Sequence, residues 1–254
     1  MTIVSAERID AVEERLSDLG SQDLAVFDWD GVLTTVAVEL FKPQNRDFAK
    51  KWCKEAKTSK EELYDKLRLV LINETNFVVN QRMVDLVEKL AERGIKRMVA
   101  TSYSVRPLDQ LKNPVQWRIE TLKELGYHFE KSWPDLPDNI ELDDFLMDYN
   151  PVFSEGVLCC DFCPKSECLK HFFNKIQWHP RKIVFIDDDL RKLTDVGTFC
   201  EKEGIDYVGI EYLESKYIDS YIPFSENIGQ IQMDNLFKKS LWIKDEEAEK
   251  MTSK

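Results

Sequence analysis

The feature that most constrains this chain is a set of short, mostly apolar runs that end abruptly in polar or acidic residues. Leu24–Phe27 stops at Asp28-Trp29-Asp30-Gly31, Arg97–Ala100 runs into Thr101-Ser102, and Ile183–Ile186 stops at Asp187-Asp188-Asp189. Runs this short, carrying Val, Ile and Phe, suit strands buried on both faces of a parallel sheet. Val157–Cys160 and Tyr207–Ile210 are two further runs of the same kind. A parallel sheet needs a crossover between successive strands, and most of the intervening segments have helical periodicity.

Those segments are read as helices over 5–19, 46–56, 60–71, 80–93, 114–125, 165–177 and about 190–203. Ile9, Val12, Leu16 and Leu19 set the first stripe, and Met83, Val84, Val87, Leu90 and Ala91 set the fourth. Ser59 with Glu62 forms a capping-box pattern ahead of the third. Gly94, Gly126 and Gly204 stand where a helix C-terminus needs a glycine. Residues 133–151, rich in Pro and Asp, read as irregular. The alternation predicts a doubly wound, Rossmann-like α/β sheet.

Charge and composition narrow the function. With 35 basic and 47 acidic side chains the formal net charge is −12, which argues against a nucleic-acid partner, since neutralising phosphates needs a basic surface. The apolar share of 43% supplies a core. The N-terminus, MTIVSAERIDAVEERL, lacks the apolar region of a Sec signal peptide, and no run is long enough to span a bilayer. A cytoplasmic location, with no transmembrane segment, is the expectation; specialised secretion remains open because its signals often lie elsewhere. Four of the six cysteines, Cys159, Cys160, Cys163 and Cys168, crowd together, so reduced packed thiols are expected rather than a disulfide framework. The spacing through Cys168 to His171 superficially resembles a zinc pattern, but such a site would compete with a pocket at the same strand ends.

In open α/β sheets, functional residues collect at the carboxyl ends of strands. Asp28, Asp30, Asp187 and Asp188 would then converge into a hard oxygen site suited to Mg²⁺. One carboxylate could attack phosphorus, and a second, two residues along, could move the proton. Thr101 and Lys165 could hold phosphoryl oxygens. Ser102 could share or exchange the role of Thr101. Lys170 is a rival to Lys165 on the same helix, but Lys165 follows Pro164 at the helix start and so projects at the strand-end rim. Asp189 is a more distant carboxylate or the N-cap of the next helix.

Taken together, FDWDGVL (Phe27–Leu33), RMVAT (Arg97–Thr101), Lys165 and IVFIDDD (Ile183–Asp189) resemble the four ordered motifs of the haloacid dehalogenase superfamily. The resemblance covers about residues 24–210 and implies a role for each residue. Asp28 would be the nucleophile that forms an aspartyl-phosphate. Asp30 would be the general acid/base, its backbone carbonyl a Mg²⁺ ligand. Thr101 (with Ser102) and Lys165 would bind the phosphoryl group. Asp187 and Asp188 would complete the Mg²⁺ site. Dehalogenases lack the second aspartate and transport ATPases carry threonine there, so DWDG favours phosphomonoester hydrolysis.

The superfamily also includes bacterial effector phosphatases that act on phosphotyrosine in host proteins. A phosphotyrosine protein is therefore the expected substrate, with delivery into a host cell as its corollary. Lys165, Lys170 and the Arg97/Arg106 neighbourhood would offset the acidic surface. Sugar phosphates or nucleotides are the alternative substrates, and a non-catalytic scaffold that binds a partner is the alternative function. The domain expectation is a catalytic core over 1–225 with a small helical cap inserted at about 36–78. A C-terminal helix and a mobile charged tail would follow over 226–254.

Overall fold

The computed structural model describes residues 1–36, 38–42, 45–218 and 224–252. In chain order, β1 (Thr2–Ala6) and α1 (Ile9–Leu16) precede β2 (Asp23–Phe27) and β3 (Thr34–Val36). Next come α2 (Arg46–Glu55), α3 (Lys60–Asn73), β4 (Asn76–Val78), α4 (Gln81–Glu92), β5 (Lys96–Thr101) and α5 (Pro114–Glu124). The short strands β6 (Asn139–Glu141), β7 (Val152–Ser154) and β8 (Val157–Cys159) lead to α6 (Lys165–Ile176) and β9 (Lys182–Asp187). The chain continues with α7 (Leu190–Glu203), β10 (Asp206–Tyr212), α8 (Glu226–Lys239) and α9 (Asp245–Thr252).

Eight strands form one sheet in the order β1-β10-β9-β2-β5-β8-β7-β6, and β3 pairs with β4 in a separate ribbon. Pairing is parallel from β1 through β8 and antiparallel only at β8–β7 and β7–β6. The fold is thus the expected α/β architecture, a mostly parallel Rossmann-like sheet. All five residues of β2 are buried, as a strand covered on both faces must be. Leu24 and Val26 join a cluster with Phe172 and Phe173 of α6 and Leu193 and Val196 of α7. Side chains alternate along a strand, so Phe27 faces the other way, and its ring meets Phe129 at 5.8 Å.

The chain divides into two compact units. The first comprises residues 1–35 and 78–215 and carries the large sheet. The second comprises 36–77 and 216–254 and is helical. Within the second, Trp52 of α2 meets Phe237 of α8 at 4.8 Å with the rings tilted by 39°, and Phe48 meets Phe224 at 5.5 Å. Asp245 at the start of α9 accepts from the Glu39 backbone N–H at 3.2 Å and from the buried Gln232 amide at 2.6 Å.

These observations revise two expectations and add to a third. Residues 5–19 do not form one helix: Thr2–Ala6 is a strand that pairs in parallel with β10, because its Ile-Val centre fits a sheet edge that β10 offers. The stretch 133–151 is not wholly irregular, since Asn139–Glu141 pairs with β7; three-residue strands are too short to show a period of two. The expected C-terminal segment over 226–254 falls in one compact unit with the insert. It packs with the insert, Asp245–Thr252 is helical, and Ala248 is fully buried. Ala37, Pro43 and Gln44 of the insert, residues 219–223 and the last two tail residues lie outside the described residues.

Candidate active site

Parallel strands share one polarity, so their carboxyl ends lie on one edge of the sheet. The strand order reverses at β2, which has β9 on one side and β5 on the other. A crevice outside such a switch point is where open α/β sheets bind ligands. Asp28 continues β2 by one residue, its N–H donating to the Ile186 carbonyl at 2.8 Å. The register pairs Phe27 with Ile186, which sets Asp28 beside Asp187 at the end of β9. Both are buried, and Asp188 is half-buried next to them. One oxygen from each of Asp28, Asp187 and Asp188 lies within 4.8 Å of the other two.

Two ammonium groups bind this cluster. Lys165, at the first turn of α6 and 3% exposed, reaches Asp28 Oδ1 at 2.9 Å and Asp187 Oδ2 at 2.7 Å. Lys170, its rival in the sequence, has no ion pair with the cluster among the described residues. Lys192 on α7 reaches Asp28 Oδ2 at 3.0 Å and Asp187 Oδ1 at 3.8 Å. The Trp29 N–H donates to Asp28 Oδ1 at 2.7 Å and the Asp189 N–H to Asp187 Oδ1 at 2.9 Å.

Burial pushes the Asp28 pKa up, but the charges of Lys165 and Lys192 and their hydrogen bonds outweigh it, so Asp28 sits well below the usual carboxylate range. Asp187 goes the other way. Burial and the neighbouring Asp28 charge push it up to about 7 against the same lysines. Lys192 is held above its ordinary value: burial lowers it, and Asp28 and Asp187 more than compensate.

Gly31 explains how the chain leaves this crowded edge. Its φ of +83° is in the left-handed region, and a Cβ there would stand 3.0 Å from Asp188 Oδ2. Thr101 ends β5 on the same edge, 1% exposed, its Oγ1 accepting the Tyr103 N–H at 3.2 Å. Ser102 is half-buried beside it.

Asp30 is apart from the acidic cluster. Its carboxylate turns to Arg118 of α5, whose Nη2 donates at 3.2 Å. Arg118 is fully buried under Trp29 at 4.2 Å and Tyr103 at 3.9 Å, with Trp117 at 5.4 Å. Such cation–π contacts fix a guanidinium in place. Asp189 is the N-cap of α7, accepting from the Arg191 N–H at 2.9 Å.

Three carboxylates offering one oxygen each make a hard, oxygen-only donor set that fits Mg²⁺ in chemistry. Among the described residues no other group of three or more His, Cys, Asp or Glu side chains converges in this way.

A family model described as "Protein of unknown function (DUF2608)" matches residues 5–249. The chain belongs to this family. The DUF2608 chain is 20% identical to an uncharacterised protein of Rickettsia prowazekii over 99% of its own length and 92% of that protein's. It is 30% identical to a protein of Chlamydia trachomatis named "Putative outer membrane protein", over 39% of this chain and 35% of that one. It is 28% identical to a Chlamydia pneumoniae protein of the same description over 61% of this chain, which spans 53% of that protein. No solved structure matches it. No helix among its described residues is long and apolar enough to cross a membrane.

Sequence reasoning missed two residues of the DUF2608 site. Lys192 was readable only as one of many helix lysines; its signal is its place in the first turn of the helix that follows Asp187. Arg118 carried no signal, because its partners are brought by β2 and the segment after β5. Arg97, expected to offset surface acidity, is buried. Its guanidinium donates to Ser132 at 2.6 Å and to the His128 carbonyl at 2.8 Å. The cysteines are free thiols, and His171 Nδ1 lies against Asp144 at 3.1 Å.

Proposed function

We propose that this chain is a Mg²⁺-dependent phosphomonoester hydrolase of the haloacid dehalogenase type, which forms an aspartyl-phosphate on Asp28 and acts on a phosphotyrosine side chain. The observation that carries the reading is Asp28 itself: a buried carboxylate kept ionised by two lysines, at a switch point, beside two further aspartates.

An ionised Asp28 oxygen attacks phosphorus while the bond from phosphorus to the leaving oxygen breaks. Asp30, oriented by Arg118, gives that oxygen its proton. In the second half a water attacks the phosphoryl-aspartate, Asp30 takes the water's proton, and the bond to Asp28 breaks to release orthophosphate. Lys165 and the Thr101 hydroxyl hold the transferring oxygens; Thr101 Oγ1 already accepts one N–H, which leaves its O–H to donate. Asp28, Asp187 and Asp188 would hold a Mg²⁺ ion, which would supply charge neutralisation for the phosphoryl group. Trp117, half-buried beside Tyr103 at 5.8 Å, lies 5.4 Å from the guanidinium of Arg118, which pairs with Asp30, the group that would serve a leaving phenolate.

Hydrolysis of para-nitrophenyl phosphate tests the reading. Asp28→Asn is expected to lower turnover by about a thousandfold or more with an unchanged circular dichroism spectrum. Excess EDTA is expected to abolish it, and added Mg²⁺ to restore it. Full activity in the variant, or in EDTA, ends the proposal. Substrate class is then decided by comparing phosphotyrosine, phosphoserine and phosphothreonine peptides with sugar phosphates and nucleotides. A metabolite preferred on kcat/KM by more than about tenfold, roughly 1.4 kcal/mol, removes the phosphotyrosine assignment.

A further inference from the structure

Every carboxylate oxygen of Asp28 and Asp187 already faces an ammonium group. Lys165 holds Asp28 Oδ1 and Asp187 Oδ2; Lys192 holds Asp28 Oδ2 and approaches Asp187 Oδ1. A divalent cation that takes one oxygen from each aspartate therefore competes, by charge and by space, with an ammonium already at that oxygen. The two lysines differ in how easily they leave. The Lys165 side chain is 2% exposed, its ammonium lies 5.1 Å from the Phe185 ring, and both its ion pairs are short. The Lys192 side chain is 31% exposed, on the first turn of α7, and its contact with Asp187 is long. Lys192 can withdraw toward water and be rehydrated there, whereas the enclosed Lys165 has no such exit.

We propose that Lys192 is a tethered counter-ion that occupies the cation side of the Asp28–Asp187 pair and is expelled when a divalent cation binds. The inference rests on the cation site of the proposed function and adds its regulation. Two buried carboxylates this close repel each other unless a positive charge lies between them. Lys165 supplies part of that charge and Lys192 the rest in the cation-free protein, so the site stays formed. The same contact opposes the divalent ion, because a covalently attached ammonium is present at high effective concentration. Binding is an exchange of one cation for another rather than filling of a bare acidic cleft.

The test measures cation binding directly, by isothermal titration calorimetry of the full chain with Mg²⁺ alone and with Mn²⁺ alone. Lys192→Met is expected to bind Mg²⁺ at least tenfold more tightly than the unaltered chain. Arg191→Gln removes a positive charge one residue away from a side chain paired with Asp189. It is expected to change affinity less than threefold. Equal affinities for Lys192→Met and the unaltered chain overturn the proposal, as does equal tightening in Arg191→Gln, which would mark a general charge effect. If the unaltered chain and Lys192→Met both bind neither ion, the cation site of the proposed function fails, and this inference falls with it. A second readout needs no variant. The ¹⁵Nζ ammonium resonance of Lys192 is expected to be visible in the cation-free protein and to be lost on adding Mg²⁺. A resonance that persists at saturating Mg²⁺ overturns the exchange.

Discussion

At the scale of single residues, Lys165 ties stability to chemistry. Its ammonium is buried between Asp28 and Asp187, and the shortest contact is 2.7 Å. Removing one partner of a buried charge set leaves the others uncompensated, at a cost of about 3–5 kcal/mol. Lys165→Met is therefore expected to lower the urea midpoint substantially, with the low end of that range expected because Lys192 still touches both carboxylates. An unchanged midpoint would show that the pair is not held by Lys165. The position was legible beforehand because Pro164 marks a helix start at a strand-end rim. The partition of work between two lysines was not, because it depends on which rotamers reach which oxygen.

Among the elements, α9 carries a result the sequence concealed. Its composition, Asp-Glu-Glu-Ala-Glu-Lys, reads as a solvated tail, yet Asp245 accepts from Gln232 and from the Glu39 backbone, and Ala248 is fully buried. Deleting 245–254 leaves the Gln232 amide, on a residue 0% exposed, with the Ile243 carbonyl at 3.1 Å and one N–H without its acceptor. An unsatisfied buried polar group costs about 1–3 kcal/mol. The truncated chain is expected to show faster amide exchange in α2 and α8, while the strands of the large sheet keep their protection. Unchanged exchange in both helices would return α9 to the status of a dispensable tail. By contrast α3 was legible to its cap: Ser59 accepts from the Glu62 N–H at 3.1 Å, a contact encoded within four residues.

For the whole molecule, the governing quantity is charge. A chain of net charge −12 repels a doubly charged phosphate ester at long range, and salt screens that repulsion over about 10 Å at 0.1 M. For a small aryl phosphate, kcat/KM is expected to rise as ionic strength increases from about 0.01 M to 0.15 M. A fall over the same range would mean that the local field of Lys165, Lys192 and Arg118 dominates approach. The division into two units was only half visible. The insert between β3 and β4 stands out because it interrupts the strand–helix rhythm, but its partner lies far along the chain at 216–254.

What the sequence determined by itself is whatever is written in local period and punctuation. Short buried runs such as Leu24–Phe27, rich in Val and Phe and closed by Asp-Gly, suit strands, Gly94 and Gly204 adopt φ of +69° and +70° at helix ends, and the aspartates that end two neighbouring parallel strands must share one edge. What only the tertiary structure decided depends on partners distant in sequence. Thr2–Ala6 is a strand because β10 offers it an open edge, and Arg118 faces Asp30 because α5 packs beneath Trp29. Lys192 completes the charge of the site because α7 begins three residues after Asp187 ends β9. Hydrogen bonds and ion pairs of that kind act over a few ångströms, and sequence separation does not set that distance.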